Sequence, residues 1–154
     1  MPDKAARVAD QFLQSTSVAV APDLREACVA ADIIVTVTSA TTPLIKRDWV
    51  QPGTHITAVG ADAPGKQELE SALVAAADGL FADLSAQCLD HGEIALPYRD
   101  GLITTDRVAD LGDVLIDPAR GRKTESEITI ADLTGLAAQD IAMAQIVFAA
   151  SEGV

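Results

Sequence analysis

The stretch Val59-Gly60-Ala61-Asp62-Ala63-Pro64-Gly65-Lys66-Gln67-Glu68-Leu69 closes a β-branched run and leads into an apolar helical pattern. A strand that ends in Gly60, followed by an acid, a tight Pro64-Gly65 turn and a lysine, can present charged groups to a ligand. The flanks on both sides repeat this alternation. Upstream, residues 33–38 form a continuous β-branched run of the kind expected in a strand buried on both faces, and Asp23 is placed to cap a short helix through Ala30. Residues 2–14 open with Pro2 and carry Ala6, Val8, Ala9, Phe12 and Leu13 at helical spacing, and residues 17–20 read as a strand.

Downstream, the pattern predicts a short segment around Trp49, a strand at 54–59, a helix at 67–77 and a strand at 79–83. Short helices are expected at 86–91 and 105–116, then a polar loop at 120–126 and a strand at 127–133. A long helix at 136–151 takes its apolar positions from Leu136, Ile141, Ala144, Ile146, Val147 and Phe148. Strands separated by helices imply an α/β fold with a mostly parallel sheet, right-handed crossovers and flanking helices. Ligands on such sheets bind beyond the carboxyl ends of the strands. Here those ends are Val37-Thr38-Ser39, Gly60-Ala61-Asp62, Asp83-Leu84-Ser85 and Asp132-Leu133-Thr134-Gly135, all furnished with hydroxyls, carboxylates or glycine.

With 154 residues, 49% of them hydrophobic, the chain can fill one core. Only 3% are aromatic, which suits helices packed closely on a sheet. The net charge of −12 opposes binding to nucleic acid, where affinity comes from Lys and Arg displacing counterions. Cys28 and Cys88 form no CxxC or Cys/His cluster, so buried free thiols are expected and no metal site is. No charged leader precedes an apolar stretch and no apolar run approaches the roughly 20 residues that span a bilayer, so no membrane association and a cytoplasmic location are expected.

Asp62 could serve as a general acid or base, as an anchor for a substrate amine, or only as a cap for the turn that follows. Lys66 could meet a phosphate or carboxylate, or simply be solvated. Thr36 and Thr38 could offer hydroxyls to the crevice, although threonine is also a good strand former. Thr134 lies at a strand-to-helix junction that favours anions, and could equally be the N-cap of the last helix. His55 and His91 have no nucleophile in view and read as structural or surface residues, and Glu93 is open to either role.

Taken together, several segments resemble the ornithine cyclodeaminase/mu-crystallin family. They are Ala31-Asp32-Ile33-Ile34-Val35-Thr36-Val37-Thr38, Pro52-Gly53-Thr54-His55-Ile56, the Gly60 to Leu69 motif, Gln87-Cys88 with Gly92-Glu93, and the run from Ile128 through Asp132-Leu133-Thr134-Gly135 to Asp140. They occur in family order along nearly the whole chain. The resemblance implies a Rossmann-type domain binding NAD or NADP and acting on small amino acids or cyclic imines, by ornithine cyclodeamination, alanine dehydrogenation or ketimine reduction. It assigns Asp62 the catalytic role, handling the substrate amine or a proton. It gives Thr38, Val59, Gly60, Ala61 and Lys66 to the nicotinamide side of the cofactor site. Asp132-Leu133-Thr134-Gly135 departs from the usual Asp-Ser form and is closer to ectoine-utilisation cyclodeaminase-like members. Leu133 lacks a hydroxyl there, and Thr134 is assigned to the cofactor in compensation.

Against the family pattern, the N-terminal substrate domain, the first two strands of the Rossmann sheet and its glycine-rich loop are expected to be missing. Residues 1–135 would then form an incomplete dinucleotide-binding domain, and residues 136–154 a C-terminal helix that in the family returns toward the substrate domain. In the order 3-2-1-4-5-6 the absent first strand is central, so the remaining strands should pair across the gap, recruit another chain or self-associate through open edges. The resemblance thus implies part of an oxidoreductase or ammonia-lyase, inactive alone, with a homo-oligomer or a partner chain carrying the missing half. The alternative is a non-catalytic, mu-crystallin-like binding or oligomerisation module.

Overall fold

Five parallel strands form one sheet in the computed structural model, which describes residues 2–12 and 16–152. The strands are β1 (Ile33–Thr36), β2 (His55–Ala58), β3 (Gly79–Ala82), β4 (Val108–Asp110) and β5 (Thr129–Asp132), in the spatial order β1-β2-β5-β3-β4. The helices are α1 (Pro2–Phe12), α2 (Leu24–Ala30), α3 (Ser71–Ala76), α4 (Ser85–His91), α5 (Ala95–Arg99), α6 (Leu111–Ile116) and α7 (Ala137–Glu152), with short 3₁₀ turns at Arg47–Trp49, Thr105–Arg107 and Pro118–Arg120. The last strand in sequence lies in the middle of the sheet. Every residue of β5 is buried, as expected for a parallel strand covered on both faces. Its register places Asp132 level with Ala58 on one side and Ala82 on the other.

Ile56, Leu69, Leu73, Leu80, Ile94 and Ile130 are fully buried and make the centre of the core. Burying one such side chain contributes about 1.5–3 kcal/mol. Asp23 caps α2 as expected, its Oδ1 accepting from the Glu26 N–H at 3.0 Å. Cys28 and Cys88 are buried free thiols. Among the described residues no helix is long and apolar enough to cross a membrane, and no group of three or more His, Cys, Asp or Glu side chains could hold a metal.

Four expectations need correction. Residues 17–20 join no strand, because no neighbouring backbone is offered to them. The strand at 33–38 is shorter, covering Ile33–Thr36, and is not buried on both faces, because it is the edge of the sheet. The helix expected at 67–77 begins only at Ser71. Glu68 and Leu69 have their backbone N–H groups drawn to the Glu93 carboxylate at 2.6 and 2.9 Å, and Leu69 bridges to Ile45, so neither residue is helical. Residues 105–116 contain β4 before α6, since the open side of β3 pairs Leu80 with Val108 and Ala82 with Asp110. Helix α5 was not anticipated, and residues 13 and 14 of the first expected helix lie outside the described residues.

Candidate functional site

All strands being parallel, their carboxyl ends share one rim, where Thr38, Gly60-Ala61-Asp62, Thr134-Gly135 and Asp83 follow one another across the sheet. Asp62 is exposed there and its Oδ1 accepts from Lys66 Nζ at 2.5 Å. That hydrogen bond, with the lysine charge, holds the Asp62 carboxyl below the usual carboxylate range, so it is ionised at neutral pH. The turn between them is closed by the Lys66 N–H on the Ala63 carbonyl at 3.2 Å. Beside it lies a polar pocket of about 240 Å³ that Lys66, Gln67, His91 and Arg99 help to line.

Behind this exposed pair stands a layer of buried acids. Glu68 is fully buried, and its carboxylate accepts from the Thr38 N–H at 2.6 Å and the Gly60 N–H at 2.9 Å. A Cβ at Gly60 would run into the Thr38 carbonyl oxygen and the Glu68 carboxyl, so only glycine lets the two strand ends share that acid. Glu93 is fully buried and is pushed up to about 7 by burial, against the two amide hydrogen bonds that favour its charge. Asp132 is pushed up to about 6, again by burial, and accepts from the Ile94 N–H at 3.0 Å.

Asp83 closes the far side of the rim. Burial pushes its carboxyl up, but hydrogen bonds from Cys88, Gly135, Thr134 and Leu84 together outweigh that and hold it low. Thr134 is therefore already engaged: its hydroxyl donates to Asp83 at 3.2 Å and accepts from Gln87 Nε2 at 2.8 Å. It does not cap α7, which starts at Ala137. The Cys88 thiol is pushed up to about 12 by burial and by Asp132, and is inert as a nucleophile at neutral pH.

The other sequence candidates fall into two groups. Thr38 is exposed at the rim and its hydroxyl accepts from the Ala40 N–H at 3.2 Å, while Val59 is half-buried and Gly60 and Ala61 are buried. His55 is structural, with Nδ1 at 2.8 Å from Thr129 Oγ1, and burial followed by the Arg122 charge lowers its pKa. His91 lies at the polar pocket, with Nδ1 at 3.0 Å from Asp90. Sequence reasoning missed the work of Glu68 and Asp83. Glycines set close to acids, Gly60 before Glu68 and Gly92 before Glu93, were the available signal.

Thr36 Oγ1, at the carboxyl end of β1, is buried without a hydrogen-bond partner among the described residues.

An open, all-parallel sheet with flanking helices and a charged rim beyond the strand carboxyl ends defines an α/β domain of the kind that places ligands at that rim. The sequence model of the ornithine cyclodeaminase/mu-crystallin family matches residues 1–153, and the chain belongs to that family. It is similar to the alanine dehydrogenase of Archaeoglobus fulgidus, 37% identical over 147 residues that make up 95% of this chain and 45% of that protein. The crystal structure of the iminosuccinate reductase of Paracoccus denitrificans in complex with NAD+ superposes with a TM-score of 0.88 at 40% identity, covering 100% of this chain and 48% of the other. The Thermococcus litoralis Delta(1)-pyrroline-2-carboxylate reductase, in complex with NADH and L-proline, superposes at 0.92 with 28% identity, covering 100% and 49%. The chain thus spans about half the length of the curated relatives it matches, 45% in the first and third of them.

Proposed function

We propose that this chain supplies the nicotinamide-side half of an NAD(P)-dependent site that oxidises small amino acids or reduces cyclic imines, and that it is inactive without a second half. The observation that carries the reading is the exposed Asp62–Lys66 pair at the sheet's carboxyl rim, beside Thr38 and Gly60. The family match and the similarity to reductases solved with NAD+ and NADH support it.

In this reading Thr38, Val59, Gly60 and Ala61 hold the nicotinamide end, and the cofactor when bound supplies hydride exchange with the substrate Cα–N centre. Lys66 keeps Asp62 ionised, which suits the carboxylate to hold a protonated amine or iminium, or to accept its proton, better than to donate one. Thr134 orders the rim through Asp83 rather than touching the cofactor. By the same reading residues 1–135 are the dinucleotide-binding part and residues 136–154 the helix that returns to a substrate domain, with NAD or NADP as cofactor and a lyase outcome open to the same Cα–N chemistry.

Titration of the purified chain with NADH, followed by fluorescence with light scattering on the same sample, tests the proposal. Saturable binding at micromolar NADH, lost with a mixed-in competitor NAD+, supports it. Absence of binding to millimolar NADH that persists when a chain carrying the other half is added refutes it.

A second reading, a non-catalytic association module, is favoured by one observation. Ile33, Val35 and Val37 are 67%, 61% and 67% exposed along the open edge of β1, beside an apolar groove of about 290 Å³ that Leu24 and Ala27 also line. Such an edge is a template for another strand. Light scattering that shows only monomer would count against it.

A further inference from the structure

We propose that Glu68 is the positioning residue of this rim: its carboxylate closes residues 60–68 into a loop and so fixes where Asp62 and Lys66 stand. The inference deepens the reading above and rests on it only for what Asp62 faces.

The loop begins at Gly60, whose N–H donates to Glu68 Oε2 at 2.9 Å, and ends at Glu68 itself, eight residues later. Asp62 and Lys66 each lie two residues in from one of these joined ends. The other oxygen of the same carboxylate accepts from the Thr38 N–H at 2.6 Å, so one acid ties the end of β1 to the end of β2. A second tie comes from Gln67, whose N–H donates to the Ala40 carbonyl at 2.9 Å. The clasp is itself held from below, for the backbone N–H of Glu68 donates to Glu93 Oε1 at 2.6 Å.

Glu93 in turn is carried on the segment that Asp132 fixes through the Ile94 N–H at 3.0 Å. A Cβ at Gly92 would strike the Asp132 carboxyl, as one at Gly60 would strike Glu68. The two glycines and three buried acids therefore form a single chain of contacts from the central strand β5 to the turn that bears Asp62. Fully buried carboxylates are costly, and an apolar side chain would fill the same space at less cost but could not hold two amides from different strands. What the acid adds is geometry.

The test uses the 154-residue chain and the variant Glu68→Gln, which matches glutamate in shape but puts an NH₂ group against one of the two amides. Carbon-detected NMR follows the titration of the Asp62 carboxyl, circular dichroism checks the fold, and NADH binding is measured in parallel. In the parent chain Asp62 titrates below the ordinary carboxylate value. In a folded Glu68→Gln chain it returns to the ordinary value and NADH affinity falls about tenfold, the effect of losing one charged hydrogen bond. Asp62 titrating alike in both folded chains overturns the proposal.

Should Glu68→Gln fail to fold, amide hydrogen exchange in the parent chain decides. Slow exchange at Thr38 and Gly60, although Thr38 is solvent-exposed, supports the clasp, and exchange as fast as in the rest of the loop overturns it. A parent chain that binds no NADH by itself bears only on the need for a second half, since the Asp62 titration still decides the role of Glu68.

Discussion

The two flanks of β2 are built on opposite terms. Toward β5 the sheet is closed and its residues buried, and the rim above β2 and β5 is backed by Glu68, Glu93 and Asp132, all 0–1% exposed. Toward β1 it is open, and apolar Ile33, Val35 and Val37 meet solvent. Helix α7 shares that character: Ile141, Met143, Ile146, Val147 and Phe148 are each about 60% exposed. The closed flank buries charge, which is expensive, and the open flank exposes hydrocarbon, which is also unfavourable. The lesson is that burial and polarity here follow position relative to the rim and the free edge, rather than the chemistry of each residue.

The largest effects should fall on the closed flank and on the clasp at the end of β2. Ile130→Ala empties a fully buried position on β5 and should cost about 2–5 kcal/mol in urea unfolding. Gly60→Ala should cost about 2–3 kcal/mol, because one of the two groups its Cβ meets is a backbone carbonyl that cannot rotate away. If both changes are mild, the closed flank is not the rigid half.

A smaller effect is a pH dependence seated in the same acids. Glu93 titrates near 7 in the fold against an ordinary value of 4.5, so the folded state holds the proton more tightly than the unfolded chain. Its contribution is complete below about pH 4.5 and is lost as pH rises through about 7, with Asp132 adding the same trend up to about 6. Unfolding midpoints measured from pH 5 to pH 8 should fall by the equivalent of about 4 kcal/mol, the larger part from Glu93. Glu93→Gln should flatten that slope. A slope unchanged in the folded variant would move the effect to other groups.

On the open flank, Val35→Lys should change stability by less than about 0.5 kcal/mol and yet reduce self-association seen by light scattering. An equal loss of stability to that of Ile130→Ala would erase the contrast between the flanks. Smallest in stability is Asp62→Asn, whose side chain is exposed: the unfolding midpoint should stay where it is while binding of cyclic-imine or amino-acid ligands weakens. A shifted midpoint with unchanged binding would make Asp62 structural.

Much of the closed flank was legible as sequence. The β-branched runs at β2 and β5, glycine at the strand end and Asp62-Ala63-Pro64-Gly65-Lys66 gave strand, turn and charged pair, because local sterics and period-2 patterning act over a few residues. The helix expected at 67–77 failed at its first turn because the Glu68 and Leu69 amides answer to Glu93, a residue 25 positions away in the first case. The strand inside 105–116 was hidden for the same reason, its backbone being claimed by β3. Thr134 shows the limit most clearly: a hydroxyl at a strand-to-helix junction predicts a helix cap, and it bonds instead to Asp83 from 51 positions away.

By itself the sequence determined the α/β class, the parallel alternation, the family and the presence of an acid and a lysine at a strand end, since each follows from short-range pattern. Only the tertiary structure decided that β5 would be central, that β1 would be a bare edge, and that three buried carboxylates would hold the rim. Those outcomes depend on which backbone amides and which apolar faces meet across tens of residues, and no local signal carries that pairing.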